Sequence, residues 1–66
     1  MPVDEARSLL GVPDDADQQQ IRDAHRRLIA RVHPDKGGSA DLARRVNAAR
    51  DILLSEVRGR VPDQRD

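Results

Sequence analysis

The sequence predicts an all-α fold in which a short first helix packs on an antiparallel two-helix hairpin. Two observations carry that prediction. Apolar residues recur at spacings of three and four along successive segments, with Gly or Pro in the gaps between them. No segment alternates apolar and polar residues as a half-buried strand would.

The first helix is expected from about Val3 to Leu10. Asp4 and Glu5 sit in its opening turn, where the positive end of the helix dipole favours carboxylates. Ala6, Leu9 and Leu10 share one face. Gly11 is a stop signal and Pro13 blocks continuation. Residues 14–17 then read as a turn, with Asp15 or Asp17 as the N-cap of a second helix. That helix spans roughly Gln18 to Val32 on the stripe Ile21, Ala24, Leu28 and Val32. His25 and Ile29 flank the stripe, and Arg22, Asp23, Arg26, Arg27 and Arg31 fill the rest of the circumference. Pro34 ends the helix, because the residue before a proline is pushed out of the helical region.

Gly37-Gly38 supplies a flexible turn, Ser39 a good N-cap and Asp41 a first-turn carboxylate. The third helix is expected to run to about Val57 on Leu42, Val46, Ala49 and Leu53, with Ala43 and Ile52 beside them. A short loop between two helices of similar stripe length makes them antiparallel neighbours. The expected domain covers residues 1–58, and residues 59–66 are expected to be a frayed polar tail holding Gly59 and Pro62.

Composition narrows the function. With 66 residues the chain is a single domain with a small core. It has no cysteine, so neither a disulfide nor a thiolate metal site is available, and two histidines make a poor metal set. No cofactor is expected. Twelve basic and twelve acidic residues cancel, which argues against a general nucleic-acid binder. The absence of Phe, Tyr and Trp removes base stacking and makes a deep ligand pocket hard to build. No apolar run is long enough to span a membrane. Arg and Asp dominate the charged residues, with Lys36 the only lysine, a balance expected of a GC-rich bacterial genome.

The run from His33 to Ser39 is mostly explained by local structure. A histidine in the last turn of a helix is favoured by the dipole, and a proline just after a helix is an ordinary stop. Asp35 is different, since a carboxylate near the negative end of a helix gains nothing there. Charged residues on an outer helix face, such as Arg22, Arg26 and Arg27, are by themselves most simply a solvated surface.

The pattern as a whole resembles a J-domain. Its carriers are Leu10-Gly11-Val12, Ile21-Arg22, Ala24-His25-Arg26-Arg27-Leu28, His33-Pro34-Asp35-Lys36, and Val46-Asn47-Ala48-Ala49 with Ile52-Leu53. Within the family, Glu5-Ala6 before Leu9-Leu10-Gly11, the block Ile21 to Arg27 and the run His33 to Ser39 are most similar to the J-protein of the mitochondrial presequence-translocase motor and its bacterial membrane-anchored relatives. The resemblance implies a monomeric, non-enzymatic co-chaperone module that binds a DnaK-type chaperone (heat-shock protein 70 class) and stimulates its ATP hydrolysis. It implies a chaperone-binding site of His33, Pro34, Asp35, Lys36, Arg22, Arg26 and Arg27. It also implies a cytoplasmic domain, tethered to the bacterial inner membrane where an anchor precedes it. Departures are equally plain. The aromatic residues that most members place in the first helix and at the position of His25 are missing, and the fourth helix is reduced or absent.

Two other readings compete. A J-like interaction subunit that regulates another J-protein would not need an intact His-Pro-Asp. A DNA-binding helical domain would use the Arg-rich second helix in a groove, against which stand the zero net charge and the interspersed Asp23.

Overall fold

The computed structural model describes residues 1–32 and 39–60, without the side chains of Ser39 and Arg60. The described residues form three α-helices and no strand: α1 Val3–Leu10, α2 Gln18–Arg31 and α3 Ser39–Arg60. Helices α2 and α3 make the hairpin. Helix α1 lies chiefly along α3, with a lesser contact to α2.

Local chemistry sets the boundaries. Asp4 and Glu5 occupy the first turn of α1. Gly11 closes it at φ 70°, ψ 36°, a left-handed conformation that glycine adopts without steric cost. Its N–H donates to the Arg7 carbonyl at 2.7 Å, and the Val12 N–H donates to the same oxygen at 3.2 Å. The link to α2 is tightened by the Ala16 N–H donating to the Pro13 carbonyl at 3.1 Å.

Of the two candidate caps for α2, Asp17 is the one used. Its carboxylate accepts from the Gln20 N–H at 2.8 Å, and the Gln20 side chain accepts from the Asp17 N–H at 3.0 Å. This reciprocal box satisfies two donors that the helix start leaves open. Asp17→Ala is expected to cost about 1 kcal/mol. In a domain this small that lowers the melting midpoint by roughly 4–8 °C, measurable by circular dichroism.

The core joins Ala6 and Leu10 of α1, Ala16 of the link, Ile21 and Ala24 of α2, and Val46, Ala49, Leu53, Leu54 and Val57 of α3. Ile21 and Val46 are its largest fully buried side chains. Val32, just past α2, is buried too, while Leu28 and Ile29 are half-buried.

Helix α3 departs from expectation in two ways. Leu42, placed on the core stripe by its spacing, is 40% exposed, whereas Leu54 is buried at 8%. The reason is the position of α1. Its Val3 lies beside Asp51, Ile52, Ser55 and Glu56, so α1 covers the later part of α3 and adds Leu54 and Val57 to the buried arc. Leu42, nearer the start of α3, has Met1 beside it, itself 44% exposed. The helix also continues past Val57 through Gly59 to Arg60. Extending an established helix adds a hydrogen bond per residue and so tolerates one glycine. Of the expected tail, residues 61–66 lie outside the described residues. No helix among the described residues is long and apolar enough to cross a membrane.

Candidate functional site

The candidate site has two parts, a basic face on α2 and the run that follows it. Burial of Ile21 and Ala24 turns the opposite side of α2 outward. Arg22, Arg26 and Arg27 are all exposed, as the helical spacing requires. Arg22 and Arg26 are one turn apart. Arg26 and Arg27 border an open groove with Asp23 and Ala30. Arg27 also borders a second groove with Leu10, Ala24, Leu28 and Arg31, where α1 meets α2.

These arginines are largely uncommitted. Arg26 Nη2 lies 3.7 Å from Asp23 Oδ1, an exposed pair of the kind worth little in water. Among the described residues Arg22, Arg27 and Arg31 make no ion pair with another described residue. A face of this kind is free to exchange water for acidic groups on a partner at small cost.

The helix delivers this face to the tripeptide. Val32 ends α2, its N–H donating to the carbonyls of Leu28 at 3.0 Å and Ile29 at 3.2 Å. His33 is the next residue. His33, Pro34, Asp35 and Lys36 lie outside the described residues, so this half of the expected site is placed only by its attachment to Val32.

Two side-chain clusters were not foreseen from the sequence. Arg7, with only 18% of its side chain exposed, meets Asp4 at 3.0 Å, Glu56 at 3.6 Å and Asp14 at 3.8 Å. It thereby ties α1 to the α1–α2 link and to α3. The Asp4–Arg7 spacing was a readable signal, but the other two partners are brought in by folding. The second cluster is His25, whose Nε2 lies 2.7 Å from Asn47 Oδ1 and 3.4 Å from Arg50 Nη1. His25 is half-buried, and its partners stand on the facing helix 22 and 25 residues away.

Comparison with known proteins identifies the family. The DnaJ domain family model matches residues 8–61, a span that includes the basic face, His33 to Lys36 and all of α3. Several relatives carry the name mitochondrial import inner membrane translocase subunit TIM14. The chain is 40% identical to that of Dictyostelium discoideum over 52 residues, 79% of this chain and 46% of the relative. It is 39% identical to TIM14-2 of Arabidopsis thaliana over 54 residues, 82% of this chain and 48% of the relative. It is 40% identical to TIM14 of Caenorhabditis briggsae over 55 residues, 83% and 50%. The chain thus spans about half the length of these relatives. No solved structure gives a significant match.

These relatives correct one expectation. A cytoplasmic domain tethered to a bacterial inner membrane was expected, yet the relatives are eukaryotic proteins named for the mitochondrial inner membrane. The Arg- and Asp-rich balance behind the bacterial reading speaks of base composition. No interaction within the fold ties it to a compartment.

Proposed function

Because this chain belongs to the DnaJ domain family, we propose that it is a co-chaperone module that docks on a DnaK-type chaperone and stimulates its ATP hydrolysis. The observation that carries the reading is the exposed, weakly paired arginine face of α2, running directly into His33-Pro34-Asp35 within the matched span. Arg22, Arg26 and Arg27 meet acidic groups on the chaperone, which speeds encounter and sets orientation. Asp35 pairs with a chaperone arginine that couples the nucleotide and substrate sites, while His33 and Pro34 shape the loop and Lys36 adds a charge contact. The chain performs no chemistry itself. It binds the hydrolysis-competent state of its partner more tightly than the resting state and so shifts the population toward it. The TIM14 relatives support a place for this activity in polypeptide import at the mitochondrial inner membrane.

The test is the single-turnover ATPase rate of purified DnaK with and without the chain, at low and at high salt. Stimulation is expected, with the required concentration rising as salt screens the arginine face. Arg22→Glu and Arg26→Glu, made singly, should weaken docking roughly tenfold or more at low salt. That loss should shrink as salt is raised. A rate unchanged by the wild-type chain would refute the reading.

A further inference from the structure

If α2 is the docking element, its orientation on α3 matters, and apolar contacts alone hold that orientation loosely. Within α2 only Ile21 and Ala24 are buried. They share their core with Val46 and the small Ala49 of α3. Apolar burial is non-directional, so a modest roll of α2 changes the buried area little. Yet a roll of roughly 20° shifts a side-chain tip at the outer radius of a helix by about 2 Å. That is enough to spoil a charge-assisted hydrogen bond, whose length varies by only a few tenths of an ångström.

A directional contact between α2 and α3 is made at His25. Asn47 Oδ1 accepts from His25 Nε2–H at 2.7 Å. Arg50 Nη1 stands 3.4 Å from the same nitrogen, and Arg50 is in turn held by Asp51, its Nε at 3.0 Å and its Nη2 at 2.8 Å. The ring therefore has a hydrogen bond on one atom of α3 and a braced guanidinium beside it, which leaves it little room to swing. His25 lies three residues after Arg22 and one before Arg26, so whatever fixes His25 fixes both arginines.

We propose that His25 and Asn47 are positioning residues, a hydrogen-bonded pin that sets the roll of α2 on α3 and so aims Arg22 and Arg26 at the chaperone. The proposal rests on the docking reading above and adds to it a pair of residues that touch no partner themselves. It also accounts for a polar histidine at a half-buried place between helices, where an aliphatic side chain would bury more apolar area.

The experiment has two arms. In the first, nitrogen-15 NMR of the 66-residue chain alone is expected to show the His25 ring protonated at Nε2 and its ring N–H protected from exchange, with Asn47→Ala abolishing the protection. In the second, the concentration of chain giving half-maximal stimulation of purified DnaK is measured for wild type, His25→Ala, Asn47→Ala, the double variant and His25→Gln. Either alanine variant should raise that concentration roughly three- to tenfold, the equivalent of one hydrogen bond, with the maximal rate unchanged. The double variant should be no worse than either single one, and His25→Gln, which still presents an N–H, should restore most of the loss.

Independent, multiplying losses in the double variant overturn the pin. So does a loss with His25→Ala but none with Asn47→Ala, which makes His25 a direct contact. Should His25→Ala melt below the assay temperature, Asn47→Ala decides alone, since it replaces an exposed residue by the best helix former. A wild-type chain without the ring signature overturns the pin and leaves docking standing. A wild-type chain with the signature that gives no stimulation overturns the docking reading, and with it the purpose assigned to the pin.

Discussion

Asp35→Asn is expected to abolish stimulation of chaperone ATP hydrolysis while leaving helix content and melting midpoint where they were. The substitution keeps the shape of the side chain and removes its charge. Local structure has no use for that charge: Asp35 follows the C-terminal end of α2, where the helix dipole opposes a carboxylate. Losing it therefore costs the fold nothing on this account, and any functional loss must come from the partner. His33 and Pro34 make poorer probes, because a histidine and a proline at a helix end also serve termination. Circular dichroism and a single-turnover ATPase assay on the same preparation give both halves of the result. Full stimulation by Asp35→Asn would remove the central contact of the proposed mechanism, and a large fall in melting midpoint would show that the residue has a structural task.

The largest stability effect is expected at Ile21→Ala. Ile21 is 1% exposed and is one of the two largest fully buried side chains. Truncating a buried isoleucine to alanine costs about 2–5 kcal/mol, because the lost transfer energy is joined by the energy of the cavity left behind. A chain of 66 residues has a total stability of only about 3–10 kcal/mol. The melting midpoint should fall by roughly 10 °C or more, and the variant should be partly unfolded at physiological temperature. Leu42→Ala is the matched comparison. Its spacing puts Leu42 on the same kind of stripe, but at 40% exposure it should cost about 1 kcal/mol or less. Urea melts of the two variants side by side measure the difference, and equal losses would mean that Leu42 is covered in solution.

That comparison marks where sequence reasoning reaches its limit. The extent of α1, the glycine stop at Gly11, the candidate cap at Asp17 and the outward arginines of α2 were all legible, because each depends on residues within one or two turns. Periodicity finds the face of a helix, but not how much of that face a neighbour covers. Leu42, read as core, is exposed, and Leu54, outside the expected stripe, is buried for that reason: α1 covers the later part of α3. Ala16, read as part of a turn, is buried at 3% because the link folds under the same three helices. Arg7 gains Asp14 and Glu56 as partners only through folding, because both lie outside α1.

By itself, then, the sequence determined the three helices, the Gly11 stop, the basic face of α2 and the membership in the DnaJ domain family that residues 8–61 display, while Ser39, expected as the N-cap of α3, lies inside that helix. These are set by local backbone chemistry and by motifs contiguous or regularly spaced along the chain. The tertiary structure alone decided which stripe positions are core, which carboxylates hold Arg7, and that His25 meets Asn47 across 22 residues. Each of these is a contact between elements distant in sequence. Which side chains meet there depends on the relative placement of packed helices, a quantity that no spacing within a single helix encodes.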